Sequence, residues 1–112
     1  MKKELLVNWT SGDFNTSMNM VLLYVYHAKN KGWIDDITLL VWGASQHLLS
    51  SNSEIQEQVR LIEKSGVKVV ACKSCADKNG IESQLQACGV DVFYTGELLS
   101  NWLMSGKPFL SV

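Results

Sequence analysis

The sequence has 112 residues, 46% hydrophobic and 19% charged, with ten basic and eleven acidic side chains and a formal net charge of −1. That fits one domain, residues 1–112, because two halves would each be too small to bury a stable core. The absence of a basic stripe argues against nucleic acid as the main partner. The longest mostly apolar run, Met18 to Tyr26, is far below the ~20 residues of a membrane span, so no membrane is expected.

The chain opens with Lys2 and Lys3, but its apolar stretch stops at Val7 and Asn8 follows, a pattern unlike a signal peptide. Three cysteines without framework spacing predict free thiols in the reducing cytoplasm.

Five short apolar runs predict strands over 5–9, 37–42, 67–72, 90–94 and 109–112. The second and third are β-branched and nearly continuous, as strands are when both faces of a parallel sheet are covered. Leu39, Val41, Val69 and Ala71 are therefore expected in the core.

Four helices are predicted between the strands. Phe14, Met18, Val21, Leu22 and Val25 make one stripe, with Gly32 as its stop. Ser50-Ser51-Asn52-Ser53 reads as a polar loop leading to a capping box at Ser53-Glu54-Ile55-Gln56. Ile55, Val59 and Ile62 follow before Gly66. Ile81, Leu85 and Cys88 form the third stripe, ended by Gly89. Thr95 is expected to cap the fourth helix, with Leu98, Leu99, Trp102 and Leu103 ahead of Gly106. Pro108 begins the last strand, where a missing N–H is tolerated. Strand–helix alternation with short connections implies right-handed βαβ units and a three-layer α/β/α sandwich with a mainly parallel five-stranded sheet.

Ligands in such sheets bind beyond the carboxyl ends of the strands. Cys72-Lys73-Ser74-Cys75 lies at one of these ends, between a strand and a helix. Unpaired backbone N–H groups, a helix N-terminus and the Lys73 cation all favour a thiolate there. The plainer alternative buries Cys72 at a strand end and Cys75 under the helix. Cys88 falls on a helical stripe and reads as core. No metal is expected, since neither a second CxxC nor an HxxxH pair is present. His47, after the second strand, could move a proton at the thiol if the strands are neighbours; otherwise it is a solvated loop residue. His27 reads as an ordinary helix position. The segment Thr10-Ser11-Gly12-Asp13-Phe14-Asn15-Thr16 loosely resembles a hydroxyl-rich phosphate loop. Its Asp13 sits where a phosphate would go, and the alternative is a turn with a helix cap.

Several segments together resemble the DsrE/DsrF-like family, with its YchN-like and TusD-related sulfur-relay members. They are Val41-Trp42-Gly43-Ala44, the run from Lys64-Ser65-Gly66 to Cys72, Gly80-Ile81, Gly96-Glu97-Leu98-Leu99, and Met104-Ser105-Gly106-Lys107-Pro108. The resemblance covers nearly the whole chain. It implies a flavodoxin-like sheet with no bound flavin or other cofactor. It also implies that Cys72, at the position of the relay cysteine, carries persulfide sulfur between a donor and an acceptor protein. Cys75 is a departure from the single-cysteine relay pattern and would hold the thiolate or resolve the persulfide. Lys73, Ser74, Gly43 and His47 are the binding residues expected around it. Trimers or hexamers are common in such proteins, and a homo-oligomer (dimer, trimer or hexamer) is expected here. Only Asn19 is polar between Met18 and Tyr26, so a second subunit or the chain's own neighbouring helices must cover that helix, and Trp33 and Trp102 are candidate interface residues. The alternatives to a sulfur carrier are a non-catalytic oligomeric binding module and, less favoured, a thiol–disulfide reductase. The latter needs a proline facing the CxxC, and Pro108 is the only proline.

Overall fold

Residues 1–112 are described by a computed structural model. Five strands, β1 (Glu4–Trp9), β2 (Asp36–Val41), β3 (Lys68–Cys72), β4 (Asp91–Phe93) and β5 (Phe109–Ser111), pair in parallel in the order β4-β3-β2-β1-β5. Each predicted run forms a strand, with ends shifted by a residue or so.

The first helical segment, α1, spans 14–30 and is π-helical at Ser17–Leu22. It begins where Asp13 accepts the Thr16 N–H at 2.8 Å. Then come α2 (Ala44–Ser51), α3 (Ser53–Lys64), α4 (Lys73–Asn79), α5 (Glu82–Ala87) and α6 (Gly96–Ser105). From β1 to β4 the chain steps in one direction across the sheet, so right-handed crossovers put α1 to α5 on one face. From β4 it returns past three strands to β5, which puts α6 alone on the other face. The result is a three-layer α/β/α, flavodoxin-like sandwich.

The two faces are unequal. The first holds 21 buried residues, among them Val7, Trp9, Leu39, Val41, Val69 and Ala71. On the second, Leu6, Leu40 and Val70 are fully buried, and Trp42, Phe93, Leu98, Leu99 and Trp102 pack around them. Strand alternation explains the split, since Val69 and Ala71 point one way and Val70 the other.

Three expectations need correction. The polar stretch after β2 is not a loop. Gly43, at φ 79 and ψ −136, takes a backbone conformation closed to other residues and turns the chain directly into α2. His47 is thus an exposed helix residue. The cap of α3 is Asn52, whose side chain accepts the Ile55 N–H at 3.0 Å, so the cap falls one residue earlier than expected and no capping box forms. The third predicted helix is two helices. Gly80, left-handed at φ 65, ends α4 and lets α5 start in a new direction. The stripe of α1 is covered by the chain's own core, with Val21, Leu22, Val25 and Ala28 buried, while Met20 and Leu23 remain exposed.

Candidate functional site

The sheet order fixes where a cleft can form. Strands β3 and β4 are neighbours, yet the chain leaves β3 towards the α1–α5 face and leaves β4 towards the α6 face. Ligand crevices in open parallel sheets open at such a divergence, beyond the carboxyl ends. Cys72 is the final residue of β3 and pairs with Phe93, the final residue of β4. Thr95 follows two positions later, at the head of α6.

Cys72 is also the N-cap residue of α4, so Lys73, Ser74 and Cys75 form the first helical turn rather than a loop. It follows Val70 by two residues, and strand alternation assigns its side chain to the α6 layer. It is 4% exposed. Burial pushes the thiol pKa up. The N–H of Cys75, the hydroxyl of Thr95, the N–H of Ser74 and the N–H of Thr95 all favour the thiolate and more than reverse that, leaving the pKa below the ordinary thiol value. The donors come from both sides of the crevice, α4 and the start of α6.

The Cys72 backbone is held separately. The ladder between β2 and β3 ends at Val41 and Ala71. Beyond it, the Gln46 side-chain amide donates to the carbonyls of Val41 at 3.0 Å and Cys72 at 3.1 Å. Gln46 is fully buried and acts as one more rung. Ser45 beside it, also buried, donates to the Trp9 carbonyl. Both belong to the helix that the sequence reads as a loop, and nothing in their spacing marks them.

Lys73 does not serve the thiol as expected. Its ammonium pairs with Glu82 at 2.6 Å and Asp77 at 3.2 Å, and these hydrogen bonds raise its pKa. It ties α4 to α5, and its charge is committed to two carboxylates. Ser74 and Cys75 contribute backbone N–H groups. Gly43 redirects the chain into α2, and exposed His47 is not among the groups bonded to the sulfur. Thr95 stands at the N-cap of α6, yet its side chain makes no capping bond. It is fully buried. The signal that could have found it is positional: it lies where β4 ends beside β3.

Elsewhere, the loop after β1 is spent on local bonds. Asp13 caps α1, its pKa lowered by the Thr16 N–H, and its own N–H bonds Ser11 Oγ at 3.1 Å. Cys88 lies half-buried at the end of α5, packed on the core, with its pKa raised by burial. All three cysteines are free. No three His, Cys, Asp or Glu side chains gather where they could hold a metal, and no helix is long and apolar enough to cross a membrane.

No protein-family model and no curated protein matches the chain. Solved structures do. The Bacteroides thetaiotaomicron protein BT1422, a conserved protein of unknown function, is 31% identical with a TM-score of 0.96, over 98% of this chain and 95% of that one. MTH1491 from Methanobacterium thermoautotrophicum, also of unknown function, is 18% identical with a TM-score of 0.75, over 98% and 99%. The E. coli YchN protein is 20% identical with a TM-score of 0.69, over the full length of both chains. The chain belongs to the family of BT1422 and has the YchN-like, DsrE-like fold.

Proposed function

We propose that the chain is a sulfur carrier that works through a persulfide on Cys72. One observation carries the reading: Cys72 ends β3 as the N-cap of α4, where the surrounding N–H groups and hydroxyl hold its thiol pKa below the ordinary value. A thiolate held this way is the attacking form of cysteine. Cys72-S⁻ attacks the outer sulfur of a donor persulfide R-S-SH, giving Cys72-S-SH and R-S⁻. An acceptor thiolate then takes the outer sulfur, and Cys72-S⁻ leaves, stabilised by the same donors. Cys75, half-buried on the first turn of α4, supplies the competing route. Its thiolate attacks the Cys72 sulfur, expelling HS⁻ and leaving a Cys72–Cys75 disulfide that an external thiol reduces. The low exposure of Cys72 favours donors that present a slender terminal sulfur, such as inorganic polysulfide.

Mass spectrometry after polysulfide treatment tests this. The parent protein should gain sulfur on Cys72, and Cys72→Ser should gain none there. Equal loading of Cys72→Ser would overturn the assignment. The reductase reading has little support, because Pro108 precedes β5, at the opposite end and opposite side of the sheet from Cys72.

A second reading, an oligomeric binding module, is favoured by the α6 face. Five strands span about 20 Å, and one helix covers about 10–12 Å of that. No residue of α6 is fully buried, and Tyr94, Leu103, Met104 and Phe109 are exposed at 66%, 46%, 84% and 37%. A second copy of the chain on this face completes the third layer. The two readings are compatible, since Cys72 opens towards the same layer.

A further inference from the structure

We infer that Thr95 is the donor residue of the thiol site, its hydroxyl holding the Cys72 sulfur as an anion across the crevice between β3 and β4. The inference rests on the reading above that Cys72 sulfur is the reacting atom, and names the one side chain that supports its charge.

A threonine at a helix N-cap ordinarily accepts an N–H of the first turn. Thr95 does not. Its Oγ1 is buried and makes no hydrogen bond, a costly arrangement for a hydroxyl. Thr95 follows Phe93, the register partner of Cys72, and its hydroxyl and backbone N–H both act to lower the Cys72 thiol pKa. A neutral thiol is a weak acceptor, whereas a thiolate is a strong one. The orphaned hydroxyl is therefore satisfied when Cys72 is ionised, and again whenever Cys72-S⁻ departs from the persulfide. Its placement follows from topology. Register puts Phe93 beside Cys72, and the crossover to the opposite face lays the head of α6 over the β3 end.

No other side chain supplies this charge stabilisation; the N–H groups of Cys75 and Ser74 add to it from the backbone. The titratable groups on the elements meeting there are Lys73, Cys75, Asp77 and Lys78 on α4, His47 on α2, Lys68 and Asp91 at the far ends of β3 and β4, Tyr94 next to Thr95, and Glu97 in the first turn of α6. None bonds the sulfur through its side chain. Lys73 is held by Glu82 and Asp77.

The test is a pH titration of thiolate ultraviolet absorbance in a Cys75→Ser, Cys88→Ser background, so that Cys72 alone reports. Thr95→Val keeps the shape and removes the donor, and Thr95→Ser keeps the donor. A hydrogen bond to a charged acceptor is worth about one pKa unit or more. Thr95→Val should therefore hold about tenfold less thiolate at any pH below both pKa values, and Thr95→Ser should restore it. Cyanide, which takes the outer sulfur as thiocyanate, should strip the loaded Thr95→Val protein about tenfold more slowly than its parent, because the leaving thiolate has lost a donor.

Stability gives an independent readout. A thiol with a depressed folded pKa adds stability above its unfolded pKa and loses it as pH falls through the folded one. Thr95→Val should thus melt level with or above its parent on the acid side of that window, where the hydroxyl is unpartnered, and lower on the alkaline side. A merely structural hydroxyl would shift melting equally at every pH. An unchanged titration in Thr95→Val, or a Thr95→Ser protein that titrates like Thr95→Val, overturns the inference. If the parent takes up no polysulfide sulfur but Thr95→Val still raises the thiol pKa, the carrier reading falls and the Thr95 assignment stands.

Discussion

Replacing Gln46 by methionine isolates the rung that holds Cys72. Methionine keeps the length of the side chain and fills the same fully buried space, but it cannot donate to the carbonyls of Val41 and Cys72. A buried acceptor stripped of its partner costs about 1–3 kcal/mol, so two such losses total about 2–6 kcal/mol. Against that, Gln46 Oε1 is itself buried and unpartnered, and removing it returns about 1–3 kcal/mol. The net expectation is a loss of about 1–3 kcal/mol. With an m-value of about 1–3 kcal/mol/M in urea, the unfolding midpoint should fall by about 1 M. A midpoint within about 0.3 M of the parent, by the same relation, would show that the amide does not act as a rung. Gln46→Glu is a control with its own signature. A carboxylate there faces two carbonyls, so its stability should recover partly as acid protonates it and restores one donor.

Other expectations concern the core, the cap, the thiols and the exposed helix. Leu40→Ala, at the centre of the sheet on the α6 face, should cost about 2–5 kcal/mol in denaturant unfolding. Asp13 has a depressed folded pKa, so its capping contribution is present above its unfolded value and lost as pH falls through the folded one. Melting of Asp13→Ala should accordingly converge with the parent at low pH. Cys75→Ser should still load sulfur and keep it longer, read as persulfide lifetime by mass spectrometry, because the expulsion of HS⁻ by Cys75 is gone. Light scattering at micromolar concentration should exceed the 12.5 kDa of a single chain, and Met104→Glu should shift the mass towards it. A monomer in the parent refutes the second-copy proposal.

The sheet was legible because burial on both faces leaves an unbroken apolar run, as at Leu39-Leu40-Val41 and Val69-Val70-Ala71. Strand-end position and family resemblance both point to Cys72, and the DsrE-like fold that the resemblance implies agrees with the structure. What escaped was the work of polar side chains pointing inward. Ser45 and Gln46 belong to a helix, yet in sequence they look like loop, because a polar residue is assumed to seek water. Thr95 looks like a cap because capping is the local use of threonine, and its partner lies on another strand. Lys73 adjoins Cys72 in sequence, but adjacency in a helix's first turn sends side chains different ways. Direction and non-local pairing are absent from spacing.

The strand order also sets a schedule. Asn8 on β1 bonds Ser111 on β5 across 103 residues of chain, and the backbone of β1 takes β5 as its outer neighbour. On a ribosome adding ~5–20 residues per second, the partner of that edge arrives about 5–20 s after β1 is made. Throughout that interval β2, β3 and β4 can assemble on the inner side of β1, while its outer edge offers an unpaired row of N–H and C=O groups to any passing strand. The nascent sheet therefore spends its vulnerable period with one fixed open side. Stop-codon truncations before Phe109 should aggregate through β1, and a chaperone or a second nascent chain would meet the protein there.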